Sequence, residues 1–577
     1  MGIIRAAFTV GSFTLLSRII GFLRECVMAF TLGAGMYTDA LLVALRFANT
    51  FRRIFAEGAF NASFLPRFSK VLAGQAFSAS LSSERYARCA CEVEANSKSV
   101  EACDATTVTF DPSTPLDSSV TSQVQSAYLE TGSEAVSESS VTLVLADVFS
   151  ALVWATLLFC AVVLVFFPSI LSVFVSGFDV LSEKFKLTII LGRICFPYLI
   201  LISIASLFGG VLNCINKFAI PSAVHSILSL FTMTALLIGY TCELSSNVTV
   251  YLVAVFALLS GVAQSYILYV SIRKYGFRVS LRLNCLTAPV KDIMKNMVPG
   301  IIGAGVWQLN VLMDATVSSY LPTGTITCIN LADRLNQFPL GTLGIALSTA
   351  LLPTLSRYIA VKDYDKASAE LERGILFAFF LTLFATLVLV ALSEPTVAVA
   401  FQRGQFQEEH VKITADVLIG FAVGLPAFVL TKIFSALYFA CGDTKTPVIF
   451  GACSVFINAL FIVLLLPIWK YLGIALCTSI AAFSNAIMLM CFSRRHMKIK
   501  LSPGFFIKIS AQFIAALVTY FVLRYISNAF WTPEIGNQLI KWLIYLGFSL
   551  VAAITFFSTT VLCLLLSKQK EWKIWKC

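Results

Sequence analysis

The chain has 577 residues, of which 58% are hydrophobic and 13% charged, with a net charge of +11, and its mean hydropathy is +0.86. Charged residues at about half the roughly 25% usual in soluble domains exclude a disordered chain, a secreted disulfide scaffold and an ordinary cytosolic enzyme. The composition is that of a polytopic membrane protein. The positive charge is no nucleic-acid footprint, because the basic residues sit mainly in short loops between apolar runs.

A spanning helix needs about 20 mostly apolar residues. Fourteen runs qualify, at roughly 10–32, 37–60, 143–168, 187–212, 223–242, 248–272, 297–320, 326–352, 374–393, 414–440, 447–469, 471–493, 505–526 and 540–566. The first resembles a secretion signal only in part. Arg18 and Arg24 interrupt its apolar core and no small-residue cleavage site follows, so it reads as a retained span. Between the second and third runs, residues 76–140 are rich in Ser, Thr, Ala and Glu, with ten acidic residues against Arg85, Arg88 and Lys98. Such a stretch buries little apolar surface and is expected to be a flexible cytoplasmic insertion. It holds Cys89, Cys91 and Cys103, the nearest approach to a cluster among the sixteen cysteines. With no histidine beside them and no CxxC spacing, they are expected to be reduced thiols and not a zinc site.

Lysine and arginine set the orientation. Arg273, Lys274, Arg278, Arg282, Lys291 and Lys295 follow the sixth span, Arg357, Lys362 and Lys366 the eighth, Arg494, Arg495, Lys498 and Lys500 the twelfth, and Lys568, Lys570, Lys573 and Lys576 the last. The turns at 33–38 and 321–325 have none. Both termini are therefore expected in the cytoplasm. The organisation that follows has spans one and two in 1–75, the acidic insertion at 76–140 and spans three to six in 141–275. A basic linker at 276–296 then leads to spans seven to twelve in 297–493, a basic loop at 494–504, two further spans in 505–566 and a basic tail at 567–577.

A faint internal repeat supports two halves. Asn49, Phe51, Ala59, Leu65, Pro66 and Ser69 recur as Asn336, Phe338, Ala346, Leu352, Pro353 and Ser356 at a constant offset of 287. Pro197, Phe208 and Pro221 are echoed by Pro426, Phe434 and Pro447 at offsets of 226 to 229. Repeats six spans apart share one topology, which predicts two six-helix halves related by an axis along the membrane normal. The last two spans lie outside it.

Charges stand where lipid is expected. The first span carries Arg18, Arg24 and Glu25, the second Asp39, Arg46, Arg52, Arg53 and Glu57, the eighth Asp333 and Arg334. Each arginine at the bilayer centre costs roughly 2.5–3.5 kcal/mol, so these helices are expected to line a water-filled cavity between the halves. Asp39, Arg46 and Arg53, seven apart, share a helix face, whereas Arg18 and Arg24 diverge by about 120°, so a kink near Gly21 would be needed to aim both inward. Asp39 is expected to neutralise one arginine, and Asp333 to accompany Arg334. Basic groups still outnumber acids, and surplus buried guanidiniums suit a phosphate or diphosphate. The competing reading is structural ion pairing between helices.

No Walker motif, HExxH or serine elbow occurs, so the chain is not expected to be an enzyme. The glycines at 300, 303 and 305 suit close helix packing. Any transport would draw on an ion gradient, the membrane potential or a substrate sink. Asp314 in the seventh span, with Asn310 one turn before it, Asn458 in the eleventh and Thr478 in the twelfth, forms a candidate sodium site, set against a proton-bearing or packing aspartate.

The runs Ser17-Arg18-Ile-Ile-Gly21-Phe22-Leu-Arg24, Gly33-Ala-Gly35-Met-Tyr-Thr-Asp39-Ala40 and Arg52-Arg53-Ile-Phe-Ala-Glu57-Gly58-Ala59-Phe60 resemble the MurJ/MviN lipid II flippases of the multidrug/oligosaccharidyl-lipid/polysaccharide exporter superfamily. Ala332-Asp333-Arg334-Leu-Asn-Gln337-Phe338-Pro339, Leu351-Leu-Pro353, Phe196-Pro197-Tyr198 and Lys445-Thr446-Pro447 agree. The resemblance spans nearly the whole chain except 76–140. It implies an all-α membrane protein of about fourteen transmembrane helices with a MATE-like fold, in the bacterial inner membrane, serving peptidoglycan and cell-wall biogenesis. It implies lipid II as substrate. It also implies cavity arginines at Arg18, Arg24, Arg52 and Arg334 with an acidic residue at Asp39, and a lipid-tail groove on the last two helices. Arg46, Asn49, Arg53, Asp333 and Gln337 beside them complete the expected substrate site. Many relatives carry an acid where this chain has Gln337. Sodium is associated with some relatives at a position matching Asp314. Membrane lipids and cell-wall synthesis or division proteins are the further partners implied. A flippase for another polyprenyl-diphosphate oligosaccharide, a drug/cation antiporter of the same fold, and a non-transporting scaffold docking through 76–140 stand as alternatives.

Overall fold

The computed structural model describes residues 2–54, 63–72, 140–496, 502–531 and 538–566. The insertion 76–140, apart from Ser140, the three cysteines within it, Glu57 and the basic tail lie outside the described residues. All regular elements described are helical. They begin with α1 (Gly2–Leu32), α2 (Met36–Arg52), α3 (63–72), α4 (Ser140–Val165), α5 (Phe167–Phe174), α6 (Glu183–Cys195) and α7 (Tyr198–Cys214). Next come α8 (Ala219–Val224), α9 (Ser226–Thr241), α10 (Ser246–Lys274), α11 (Ala288–Ser318) and α12 (Thr325–Pro339). After a π-helical segment, Leu340–Gly344, follow α13 (Ile345–Ala360), α14 (Tyr364–Ala391), α15 (Ser393–Phe401), α16 (Glu408–Val423), α17 (Leu425–Ala440), α18 (Lys445–His496), α19 (Pro503–Phe530) and α20 (Gln538–Leu566).

Nine helical stretches among the described residues are long and apolar enough to cross a membrane. The charged helices α1, α2, α11 and α12–α13 are not among them. Lys445–His496 is two helices joined at Lys470, whose φ of 45° breaks the helix, between the runs expected at 447–469 and 471–493.

Three expected spans are broken where the sequence carries a local reason. Pro197 precedes α7 and Pro426 opens α17. A proline has no N–H to donate and fits the first turn of a helix, so each restarts a span as a second segment. In the eighth span Pro339 ends α12, and the backbone widens into the π-helical segment before α13 resumes. The second span widens in the same way at Arg53 and Ile54. Arg53 and Leu340 are 287 apart, so both halves change helix type at the same place in the repeat.

Apolar side chains gather into several cores, one of which joins Ala29 of α1 and Ala34 just after it to Phe401, Phe421 and Leu425 of the second half, while others lie within a half. Phe64, Tyr198, Phe208 and Leu268 form one in the first half, and Leu355, Leu371, Phe434 and Tyr438 one in the second. Phe47 is the hub of an aromatic cluster, with ring centres 5.0 Å from Phe51, 5.4 Å from Phe167, 5.6 Å from Phe174 and 5.7 Å from Phe196. The linker after α10 is strapped to α4. The Arg282 amide donates to Ser150 Oγ at 2.8 Å, and Trp154 Nε1 donates to the Arg282 carbonyl at 3.2 Å. The final pair, α19 and α20, packs on α14 through Leu383, Leu387, Ala515, Leu523, Ala552 and Phe556. Glu372 of α14 accepts from the Ser502 amide and hydroxyl at 3.1 and 2.8 Å. Gln402 accepts from Lys541 Nζ and Gln538 Nε2, both at 2.9 Å.

Candidate functional site

The seam between the halves is built by α1 and α2 on one side and α11, α12 and the π-helical segment on the other. At its centre lies Glu25, which is fully buried. Its carboxylate pairs with Arg24 of the same helix and with Arg334 Nε at 3.4 Å, and accepts from Asn330 Nδ2 at 3.3 Å. One carboxylate thus holds an arginine from each half. The side chains of Arg24 and Arg334 keep 17% and 40% of their surface exposed, so the pair is anchored on a buried acid and still presents guanidinium surface.

Arg18 does not join this group. Its Nη1 donates to the Gln337 carbonyl at 3.3 Å, further along α12. α1 runs through Gly21 as one continuous helix. Six residues apart along it, the two arginines meet α12 at different levels of the seam. Asp333 accepts from the side chain of Gln337 one turn later, so this chain's glutamine satisfies the acid that lies beside Arg334. Arg46 feels the charges of Asp333, Asp314 and Arg334. Arg46 and Arg52 are half-buried and Arg53 is exposed. Asn49 and Asn336, equivalent in the repeat, each bury an Oδ1 that has no hydrogen-bond partner among the described residues.

Asp39 has a different role from the one expected. It is fully buried, and no arginine pairs with it among the described residues. It pairs with Lys184 Nζ at 2.8 Å and accepts from the Gly324 amide at 2.8 Å, the Thr327 amide at 3.0 Å and Thr327 Oγ1 at 2.7 Å. The carboxylate of the first half therefore caps the N-terminus of α12 in the second, where unsatisfied amides and the helix dipole favour an anion. Lys184 also lies 4.3 Å from the centre of the Phe178 ring. Other contacts join the halves at this end. Thr316 Oγ1 donates to the Phe174 carbonyl at 2.8 Å, the Gly177 amide to Ser319 Oγ at 2.9 Å, and the Gln405 amide to the Phe30 carbonyl at 3.1 Å. Gly404, at φ +56°, permits the last approach: a Cβ there would lie 2.3 Å from the Phe30 oxygen.

The candidate cation ligands are partly assembled. Asn458 Nδ2 donates to Asn310 Oδ1 at 2.7 Å and lies 3.5 Å from Asp314 Oδ1, and Asn458 Oδ1 is buried with no hydrogen-bond partner among the described residues. Thr478 instead donates to the Ile474 carbonyl of its own helix at 3.1 Å. No cluster of three His, Cys, Asp or Glu side chains forms among the described residues. One carboxylate with amide oxygens fits a singly charged hard cation better than a divalent one.

Glu25 was visible in the sequence only as a charge, and Lys184 not at all. Neighbours in a helix such as Arg24 and Glu25 do not ordinarily face each other, and nothing local links Lys184 to Asp39, 145 residues earlier.

The family described as "Lipid II flippase MurJ" matches residues 28–84 and 125–574. The interval falls within the acidic insertion. A probable lipid II flippase MurJ of Rhizobium meliloti (strain 1021) is 32% identical over 490 residues, 85% of this chain and 80% of that protein. The lipid II flippase MurJ of Burkholderia cenocepacia is 28% identical over 535 residues, 91% of each. In fold, the chain is similar to a solved lipid II flippase MurJ in an inward closed conformation, with a TM-score of 0.69 at 21% identity, covering 96% of this chain and 99% of that one. An inward-facing MATE family transporter of the MOP superfamily follows at 0.58 and 14% identity, covering 85% and 98%.

Proposed function

As the chain belongs to the lipid II flippase MurJ family, we propose that it carries lipid II, the undecaprenyl-diphosphate-linked peptidoglycan precursor, from the cytoplasmic to the outer leaflet of the bacterial inner membrane. The observation that carries this reading is the seam itself. Four guanidiniums, from Arg18, Arg24, Arg46 and Arg334, share it with the carboxylates of Glu25, Asp314 and Asp333, and Arg52 and Arg53 follow Arg46 at the end of the same helix. Surplus fixed positive charge in a membrane interior needs an anion, and planar guanidiniums match diphosphate oxygens in pairs. A drug/cation antiporter would favour the opposite charge.

A sugar-peptide-diphosphate head does not cross about 30 Å of hydrocarbon unaided. In this reading the basic loops and both termini face the cytoplasm, and the end closed by Asp39 is the outer one. The headgroup enters from the cytoplasm, its diphosphate meets Arg24 and Arg334, and the shared Glu25 keeps these two arginines together until it does. Binding then competes with the contacts that tie the halves, and the halves rock about the seam. The polyprenyl tail stays in the membrane, against α19 and α20. Each net negative charge delivered outward gains roughly 2.3 kcal/mol per 100 mV when the inside is negative. A sodium ion, held by Asp314 and Asn458 with Asn310, would add positive charge where α11 meets α18. Cell-wall synthesis or division proteins are the proposed protein partners.

The test is translocation of fluorescent lipid II in proteoliposomes, with native mass spectrometry against lipid II and undecaprenyl phosphate. Arg24→Ala and Arg334→Ala should each abolish transport and the preference for the diphosphate while remaining folded. Normal translocation by both variants would refute the reading.

A further inference from the structure

We propose that Gly341, a residue assigned no role so far, is the seat that aims Arg18 across the seam at the substrate anion; this deepens the diphosphate reading and rests on it. Helices α1 and α12 run antiparallel here, because the end of α1 and the start of α12 meet at the turn where Gly324 approaches the Ala34 carbonyl. The seam then has two rungs. Arg24 and Glu25 meet Asn330 and Arg334, and Arg18 meets Gln337 and Gly341. Six residues on α1 advance about 9 Å, and the seven from Arg334 to Gly341 about 10 Å, so the rungs match in spacing.

The second rung depends on a missing side chain. A Cβ on residue 341 would lie 1.7 Å from Arg18 Nη1 and 2.3 Å from Cζ. The guanidinium therefore rests in the space that any other residue would fill. Gly341 stands in the π-helical segment, which follows Pro339, and π-turns of this kind are common at functional sites. The repeat places Ile54 at the equivalent position in the first half, so the seat exists in the second half alone.

The arrangement leaves Arg18 useful to a ligand. A guanidinium has five N–H donors, and the hydrogen bond to the Gln337 carbonyl holds its direction. A diphosphate oxygen is a stronger acceptor for a guanidinium than a neutral carbonyl. An arriving anion can use the remaining donors or displace the carbonyl, and it meets a side chain that is already ordered, which lowers the entropy cost of binding. Gly341 is thus a positioning residue that acts through Arg18.

A double-mutant cycle on the full-length protein tests this, using native mass spectrometry with undecaprenyl diphosphate and undecaprenyl phosphate as probes. Gly341→Ala should weaken diphosphate binding about tenfold when Arg18 is present, and by less than about twofold in the Arg18→Ala background. Alanine favours helix over glycine, so local unfolding does not account for such a loss. A second readout needs no ligand. Phenylglyoxal should modify Arg18 several times faster in Gly341→Ala, with Arg24 unchanged, as followed by peptide mass spectrometry. Equal weakening in both backgrounds, or an unchanged modification rate at Arg18, overturns the seat. Wild-type protein that binds both lipids equally, while Arg18 still reacts faster in the variant, upholds the seat and refutes the diphosphate reading.

Discussion

Replacing Asp39 with asparagine should release the outer end of the seam. The side chain keeps its shape but loses its charge. Its carbonyl can still accept from the Thr327 amide and hydroxyl, at 3.0 and 2.7 Å in the native protein. Its NH2 group would then face two donors, the Gly324 amide and the Lys184 ammonium, both at 2.8 Å. The Lys184 side chain is only 11% exposed, so little water can replace the lost carboxylate. Removing one partner from a buried pair costs about 3–5 kcal/mol. With two of the four hydrogen bonds kept, the lower figure applies, about 3 kcal/mol. At 1.4 kcal/mol per decade that is roughly a hundredfold shift away from the closed arrangement. Hydrogen–deuterium exchange reads it directly, since the amides of Gly324 and Thr327 are the groups that Asp39 holds. Their peptide should exchange up to about a hundred times faster in Asp39→Asn, while peptides of the α14–α19–α20 core stay unchanged. Exchange at 324–328 equal to that of the native protein would show that the neighbouring turn contacts suffice and that the carboxylate is no lock.

Other outcomes follow from the same contacts. Phe47→Ala removes the hub of the aromatic cluster and should lower stability by about 3 kcal/mol, seen as a lower melting temperature in detergent; a variant as stable as the native protein would mean that the five rings do not act as a unit. Asp443 accepts from Thr446 Oγ1 at 2.5 Å and from the amides of Thr446 and Lys445 at 3.0 Å, and these bonds hold its carboxyl below the ordinary range. Asp443→Ala should cost about 1 kcal/mol. Because the native pKa is lowered, that contribution is complete above the ordinary carboxylate pKa and is lost as the pH falls through the lowered value. The gap between variant and native melting temperatures should therefore narrow below about pH 4. Asp314→Asn should abolish any sodium-specific rise in melting temperature relative to potassium; an undiminished rise would place sodium elsewhere.

Most of the helical architecture can be read from apolar runs, because a membrane demands long uninterrupted segments with every backbone group paired. The seam helices are not among the nine long apolar stretches, since α2, α12 and α13 are 17, 15 and 16 residues long and α1 carries Arg18, Arg24 and Glu25. The sequence marks the site by charges set inside runs that are otherwise apolar enough to span. It also places the prolines at 197, 339 and 426, and each breaks or ends a helix for a local reason. Pairings across the seam are another matter. Charge counting assigned Asp39 to an arginine, yet its partners are Lys184 and the amides of α12, and only the packing of α2 between α6 and α12 brings these together. Gly341 illustrates the same limit. In the sequence it is one glycine of a Leu-Gly-Thr-Leu-Gly run, and its meaning comes from a side chain 323 residues away.

The attachment of α19 and α20 has a kinematic consequence. Their anchors are Glu372 and Gln402, together with the faces of α14 and α15, all in the second half. The terminal pair is therefore rigid freight on one jaw. Under the proposed rocking, hydrocarbon lodged against it would keep its distance from Arg334 and would sweep past Arg18, Arg24 and Arg46. A long lipid carried in that way would need no slack between tail and head on the second half's side, and the shear of the proposed stroke would fall on the arginines of the first half.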